Sequence, residues 1–300
     1  MKKCLYLLVV VCLLVFRSEA QIQDPSLALQ LSADFNGDRV AFFADNRDYC
    51  DYHLRIFFTY AEGFEGMSSG ISLNTSPGRR QILSYKVRQG ATRYSYNYSY
   101  AMYRGNSYKK PNAEFMYALP VAPGGEVTVM IPENQEGYQL AFDMPSDTVY
   151  ACRDGVMCDD ELKDNTAKGY KHFRDNMNFS QITLYHADGS FGEYVFRGAP
   201  LVSPGEEVKM GMPIAIVDSQ FRSSIRFSVY FLDQNKLKDI KIGNKHSHLR
   251  PFFQTENDGV LRLVNEGMYQ CQCTDDMLMQ DMSKHEKKVF LKNKSKKATL

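Results

Sequence analysis

The chain has 300 residues, of which 44% are hydrophobic, 13% aromatic and 24% charged, and its formal net charge is +1 at pH 7. A net charge this close to zero gives no basis for general polyanion binding, so nucleic acid is not an expected partner. The length is sufficient for two domains of ordinary size, each with its own core.

The first twenty residues have the layout of a cleavable signal peptide. Lys2 and Lys3 precede an apolar run over residues 5–16, and the segment closes on Ser-Glu-Ala at Ala20. This run is shorter than the roughly 20 apolar residues that a spanning helix needs, and no later stretch approaches that length. We therefore predict cleavage near Ala20, no transmembrane segment, and a secreted or periplasmic location.

The mature chain is predicted to be all-β. Short alternating runs bounded by Gly, Pro, Asn and Asp recur throughout, whereas apolar residues spaced three or four apart are rare. Strand-like runs at residues 40–44, 52–60, 80–87 and 91–103 predict a β-sandwich-like domain over residues 21–124.

Four tyrosines in the last of these runs alternate with polar residues, which places their rings on one face of a strand: Tyr94, Tyr96, Tyr98 and Tyr100. Such a row can stack on sugar rings, or it can pack one face of a sandwich. Packing is the favoured interpretation.

The next domain is predicted to span residues 125–233 as a small antiparallel β-barrel or sandwich with almost no helix. Two phrases within it, residues 148–156 and 204–214, carry apolar residues into a glycine turn, which is typical of tight hairpins. A β-rich appendage follows over residues 234–283.

Residues 284–300 form a lysine-rich tail. This segment could hold to acidic polymers or membranes, or it could be a solvated chain end, which we favour. Its lysines are Lys284, Lys287, Lys288, Lys292, Lys294, Lys296 and Lys297.

Five cysteines lie beyond the predicted cleavage site: Cys50, Cys152, Cys158, Cys271 and Cys273. The odd number leaves at least one thiol without a partner in the chain. Cys152 and Cys158 lie on either side of Gly155, so we expect them to face one another across a hairpin, where they could form a disulfide. The pairing of the other three stays open, and the spacings do not fit a structural zinc site.

Four phrases of the C-terminal half follow one another in a fixed order: residues 149–156, 185–190 with Tyr194 after them, 202–216 and 227–229. Their order and spacing resemble the core of the LytM/lysostaphin-type zinc peptidases, which cleave peptidoglycan. Upstream, residues 44–50 and the aromatic strand resemble the β domain that often precedes this core in secreted bacterial members. The resemblance implies a β domain followed by a small antiparallel β unit of the LytM type.

The resemblance also implies where zinc ligands would stand, and the chain departs from the family there. A zinc hydrolase needs about three protein ligands and an open position for water. The family's first ligand motif places its Asp at Ala141, and residues 132–140 contain no histidine. The family's later H-x-H falls on Ser224 and Arg226, and its catalytic histidine falls on Phe196.

Arg226 cannot replace a ligand, because a guanidinium has no free lone pair and carries a full positive charge. A different register would not restore the site, since residues 54–171 and 187–245 contain no histidine. We therefore predict a degenerate member with no cofactor and no enzymatic activity. Arg226, Tyr194 and His186 are the candidate binding residues of the groove.

The remaining histidines give no clear metal site. His186 corresponds to a turn histidine of the family that is not a zinc ligand, so we expect a structural role. His246 and His248 form an H-x-H in the appendage, and we expect an exposed polar loop rather than a ligand pair. His53 and His172 are isolated.

The leading hypothesis is a secreted, non-catalytic protein of the bacterial cell envelope whose groove binds a partner protein or peptidoglycan peptide. One alternative is an active zinc endopeptidase with an unconventional ligand set that includes His246 and His248. The other is a structural surface protein. The sequence does not identify the partner or the oligomeric state.

Overall fold

The computed structural model describes residues 27–131, 138–161, 179–218, 224–239 and 242–297. The predicted signal peptide lies outside the described residues. Strands account for 50% of the structure and helices for 9%, which confirms the all-β class. None of the helices within the described ranges has the length and apolar character to cross a bilayer.

The first six strands form two three-stranded antiparallel sheets, with strand orders β1-β2-β5 and β4-β3-β6. Phe42 of one sheet and Leu54 and Met102 of the other are fully buried in a shared core, so the two sheets pack as a sandwich. The strands are β1 (Leu29–Asn36), β2 (Arg39–Asn46), β3 (Tyr52–Glu62), β4 (Ile71–Thr75), β5 (Gly78–Lys86) and β6 (Ser95–Arg104).

The tyrosine row of β6 packs this sandwich. Tyr96 and Tyr98 each lie 5.4 Å, centroid to centroid, from the ring of Phe42. Tyr94 is 51% exposed and stacks on Phe35 at 4.8 Å. The packing interpretation therefore accounts for Tyr96 and Tyr98. Alternate residues of a strand point to the same face, which places both rings on the core side.

The rest of the chain is built mainly on a nine-stranded sheet of order β15-β11-β12-β13-β17-β9-β8-β21, with β18 also paired to β17. Two three-stranded sheets, β10-β16-β14 and β20-β19-β7, complete it, and the described strands form no closed barrel. The strands are β7 (Met116–Tyr117), β8 (Glu126–Met130), β9 (Gln139–Asp143), β10 (Thr148–Tyr150), β11 (Gly155–Met157), β12 (Ser180–Tyr185), β13 (Ser190–Phe196), β14 (Gly198–Pro200), β15 (Glu207–Val208), β16 (Pro213–Val217), β17 (Ser224–Leu232), β18 (His246–Leu249), β19 (Phe252–Thr255), β20 (Gly259–Leu261) and β21 (Met268–Gln270).

Within the described residues, the C-terminal part contains three helices: α1 (Gln234–Lys238), α2 (Asp275–Leu278) and α3 (Lys284–Lys297). The lysine-rich tail is therefore largely helical, and most of its described side chains are exposed. Phe253, Leu263 and Met277 of the predicted appendage are buried in the same core as Phe227 of β17. The division of the mature chain into domains stays a prediction.

The strands of the two glycine-turn segments, residues 148–156 and 204–214, pair with one another. The prediction that each segment forms its own hairpin is therefore wrong. Strand β10 pairs with β16, where Val149 is opposite Ala215, and β11 pairs with β15, where Gly155 is opposite Val208. The carboxylate of Asp154 fixes this arrangement by accepting the Met210 N–H at 2.7 Å.

The expected arrangement of Cys152 and Cys158 across a hairpin is also wrong. The chain passes from β10 into β11, and these two strands belong to different sheets. Cys152 is buried in the main core, whereas Cys158 is buried in the core of the N-terminal sandwich. Both thiols are free, as are those of Cys50, Cys271 and Cys273.

Candidate functional site

The two faces of the nine-stranded sheet differ chemically, as the residues of β17 show. Its apolar residues Ile225, Phe227 and Val229 are buried in the main core. The alternate residues Arg226 and Ser228 point to the opposite side, because successive side chains of a strand alternate between faces. We name the side that carries Arg226 the second face.

The strand register brings residues from four strands into rows on the second face. Residues directly opposite in an antiparallel ladder point to the same side. The first row contains Ala141, Arg226, Val195 and Gln181. The next row is polar and contains Gln139, Ser228, Glu193 and Thr183.

A third row closes the second face on the side of the N-terminal sandwich. It contains the aromatic residues Tyr185, Phe191 and Tyr230, with His248 beside them. Tyr185 and Phe191 are part of the sandwich core, and Tyr230 packs against it. The first two rows are therefore the portion of the second face that lies farther from this packing.

Glu193 is the distinctive residue of the polar row. Gln181 Nε2 donates to one carboxylate oxygen of Glu193 at 3.3 Å, and Ser228 Oγ lies 3.5 Å from the other. Burial, with a contribution from the nearby Asp160, raises the pKa of Glu193 to about 7 against the opposing effect of Arg104. The carboxyl group is therefore partly protonated near neutral pH, whereas an ordinary glutamate is ionised there.

The structure brings together three of the four positions that the resemblance assigns to the zinc site. Ala141 lies opposite Arg226, and Ser224 begins the same strand opposite Asp143. Phe196 does not join them, because it is fully buried on the main-core face of β13. The assignment of the family's catalytic position to Phe196 stays a prediction.

These residues do not fit a zinc ion. Ala141 has no donor atom, and the guanidinium of Arg226 has no available lone pair. Within the described ranges, three metal-capable side chains converge only at Asp48, Cys50 and Cys158. Cys50 and Cys158 of this group are buried in the core of the N-terminal sandwich, and none of the three belongs to the row of Ala141 and Arg226.

Tyr194 and His186 do not line a groove, so their assignment as groove residues is wrong. Tyr194 is fully buried on the main-core face, where its hydroxyl accepts the Cys152 N–H at 2.8 Å. His186 is 1% exposed, and its Nδ1 donates to the Asp154 carbonyl at 2.7 Å. Burial lowers the pKa of His186 to about 4, with a further contribution from Arg153, so it is neutral at pH 7. Its surroundings fit the expected structural role.

His246 and His248 form a strand, not an exposed loop. They lie in β18, opposite Leu232 and Tyr230 of β17. His246 Nε2 donates to the Arg104 carbonyl at 2.8 Å, and burial lowers its pKa to about 4. In the part of the chain that the structure describes, no third ligand lies with them.

Two arginines, Arg104 and Arg153, make ion pairs in the interior that the sequence did not reveal. Arg104 bridges Asp48 and Asp160 at 2.7 Å each, which joins the N-terminal sandwich to the segment after β11. Arg153 stacks on the ring of Phe115 at 3.7 Å and binds Asp281 through Nε and Nη2. No local pattern marks these residues, because their partners are distant in sequence.

No protein-family model matches the chain, and no curated protein matches it. Among solved structures, the chain is similar to Csd3 of Helicobacter pylori, with 10% identity over 91% of this chain and 77% of that chain and a TM-score of 0.27. It is also similar to a zinc-containing peptidase from Vibrio cholerae, with 13% identity over 67% of this chain and 81% of that chain and a TM-score of 0.22. TM-scores this low do not establish a shared fold, so they assign the chain to no family.

Proposed function

We propose that the chain is a secreted, non-catalytic protein of the bacterial cell envelope that binds a carboxylate-bearing peptide on the second face. The peptide belongs to peptidoglycan or to a partner protein. The sequence resemblance supports the peptidase-like class, and the pattern of the first twenty residues supports export. The residue types at positions 141, 224 and 226 support the absence of zinc chemistry.

One observation carries the binding proposal: Arg226 lies half-buried in a row between Ala141 and Val195, beside the polar row of Ser228 and Glu193. A guanidinium matches the planar geometry of a carboxylate and binds it through parallel N–H donors. In half-buried surroundings such a contact contributes about 1.5–3 kcal/mol. Arg226 therefore places a positive charge in this row, at a position that the sequence resemblance assigns to the zinc site.

Calorimetric titration tests this proposal. The wild type and Arg226→Ala are titrated with peptidoglycan stem peptides and with the same peptides amidated at the C-terminus. We expect Arg226→Ala and amidation each to weaken binding about tenfold or more, since the lost contact corresponds to that factor. Arg39→Ala is the matched control, because Arg39 is an exposed arginine of the N-terminal sandwich.

The outcomes separate the sources of the peptide. Binding of stem peptides that depends on Arg226 supports peptidoglycan. Arg226-dependent capture of an envelope protein, with no stem-peptide binding, supports a protein partner. Equal affinities of the wild type and Arg226→Ala for every captured ligand contradict the role of Arg226.

A further inference from the structure

Two buried cysteines meet where the N-terminal sandwich joins the nine-stranded sheet. Cys50 follows β2 and Cys158 follows β11, and both are 0% exposed in the same core. Their sulfur atoms and a carboxylate oxygen of Asp48 all lie within 4.8 Å of one another. Rotation about the Cα–Cβ bond moves a sulfur by a few ångströms, which is the range needed to reach the S–S bond length of about 2.05 Å.

The backbone around both cysteines is held by direct contacts between the two parts of the chain. Asp48 Oδ1 accepts the Asp159 N–H at 2.8 Å, and Arg104 donates to the Asp159 carbonyl at 2.8 Å. Asn46 Nδ2 donates to the Cys50 carbonyl at 2.9 Å. The residues next to each thiol are therefore aligned across the junction before any covalent bond forms.

A metal ion is a poor occupant of this cluster. Asp48 Oδ2 already accepts from Arg104 Nε and Nη2 at 3.0 and 2.7 Å, from the Tyr52 hydroxyl at 3.0 Å and from the Cys50 thiol at 3.4 Å. Its other oxygen accepts two backbone N–H groups. A metal would have to displace these donors and would lie beside the fixed positive charge of Arg104.

We propose that Cys50 and Cys158 form a disulfide that cross-links the N-terminal sandwich to the nine-stranded sheet. Formation of the S–S bond removes one hydrogen from each thiol, that is, two electrons and two protons in total. A small-molecule disulfide or a dithiol–disulfide oxidoreductase accepts them and becomes two thiols. Formation of this disulfide does not depend on the carboxylate ligand that we propose for Arg226.

The surroundings predict when the bond forms and how it responds to reductants. Burial raises the pKa of the Cys50 thiol well above its usual value, so little thiolate exists once the junction is packed. We therefore expect the two thiols to be oxidised during folding, while the segments that carry Cys50 and Cys158 are still packing together. After packing, the bond is shielded from external thiols, because neither cysteine is exposed.

Peptide mapping without reduction tests the proposal directly. The exported protein is unfolded and refolded in a buffer of glutathione and glutathione disulfide, denatured, alkylated and digested. We expect one cross-linked peptide pair containing Cys50 and Cys158, with the other three of the five cysteines alkylated. Alkylation of both Cys50 and Cys158 in the unreduced sample overturns the proposal, as does a cross-link of either residue to a different cysteine.

Variants provide a second readout. A reductant added during refolding should lower the thermal midpoint of the wild type and of Cys152→Ser, because both retain the cysteine pair. It should not change the midpoint of Cys50→Ser or Cys158→Ser. Cys152→Ser is the matched control, since Cys152 is equally buried but lies in the main core. Equal responses of all four proteins contradict the cross-link.

Discussion

Substitution of Arg104 by alanine removes the cation from a buried ion cluster. Arg104 donates to Asp48 Oδ2 at 2.7 and 3.0 Å and to Asp160 Oδ1 at 2.7 Å. The side chain of Asp48 is 0% exposed and that of Asp160 is 7% exposed. Arg104→Ala therefore leaves two largely buried carboxylates without their cation.

We expect Arg104→Ala to lower the free energy of unfolding by about 3–5 kcal/mol at pH 7, the usual cost of breaking a buried ion pair from one side. Urea denaturation followed by circular dichroism measures this change. Lys86→Ala is the matched control: Lys86 contacts Asp38 at 3.7 Å, and their side chains are 50% and 62% exposed. Its removal should cost less than about 1 kcal/mol.

The cost should depend on pH in a defined direction. Burial alone would raise the pKa of Asp48, but Arg104 and the backbone N–H donors outweigh it and hold this pKa below its usual value. In the wild type, the contribution of Asp48 is therefore present above its unfolded pKa and is lost as pH falls through its folded pKa. In Arg104→Ala burial is expected to dominate, so the folded pKa rises, and protonation of Asp48 on acidification relieves the buried charge.

The difference between the wild type and Arg104→Ala should thus narrow as the pH falls from 7 to about 4.5. A loss below about 1 kcal/mol at pH 7 would falsify the description of this cluster as a stabilising junction. A difference that widens on acidification would contradict the assignment of the charge to Asp48.

Further substitutions test the second face and the main core. Burial places the pKa of Glu193 at about 7 in the folded state, above its unfolded value, so the stability linked to this group is lost as pH rises through 7. As the pH rises from 5 to 8, the free energy of unfolding of Glu193→Gln should increase by roughly 1–3 kcal/mol relative to that of the wild type. The exposed Glu126→Gln should show no such increase. Equal pH profiles of the wild type and Glu193→Gln would contradict the raised pKa. Tyr194→Phe removes the acceptor of the buried Cys152 N–H and should lower the free energy of unfolding by about 1–3 kcal/mol, measured by urea denaturation. The exposed Tyr94→Phe is the control and should lower it by less than about 0.5 kcal/mol.

Strand positions in the N-terminal sandwich could be predicted because alternation is a local signal. Strands β2, β3, β5 and β6 each overlap a run identified from the sequence. The inward orientation of Tyr96 and Tyr98 follows from the same period of two. Local patterns determine which residues form a strand and which of its faces is apolar.

Strand partners could not be predicted, because they depend on contacts between distant segments. Gly155 and Gly211 are turn signals in the sequence, yet Gly155 is the first residue of β11 in the structure. A turn signal also does not tell whether the flanking strands pair with one another. The fold pairs β10 with β16 and β11 with β15 instead. The Arg104 cluster has no local signal for the same reason, since its members come from segments that are far apart in the sequence.

The candidate site was predictable in part. The residue types at Ala141 and Arg226 follow from the sequence, and their direct pairing in the sheet was not visible there. The assignment of Phe196 depends on the spacing of the resemblance alone, and an offset of one residue would reverse the face of the strand. The polar row around Glu193 was missed because it forms only when four strands align.

The most direct test of the proposed function is release of soluble muropeptides from purified peptidoglycan, measured by chromatography with and without added zinc. We expect no release above that of a heat-denatured sample under either condition, since Ala141 and Arg226 cannot hold a metal. Zinc-dependent release that a chelator abolishes would contradict the non-catalytic function.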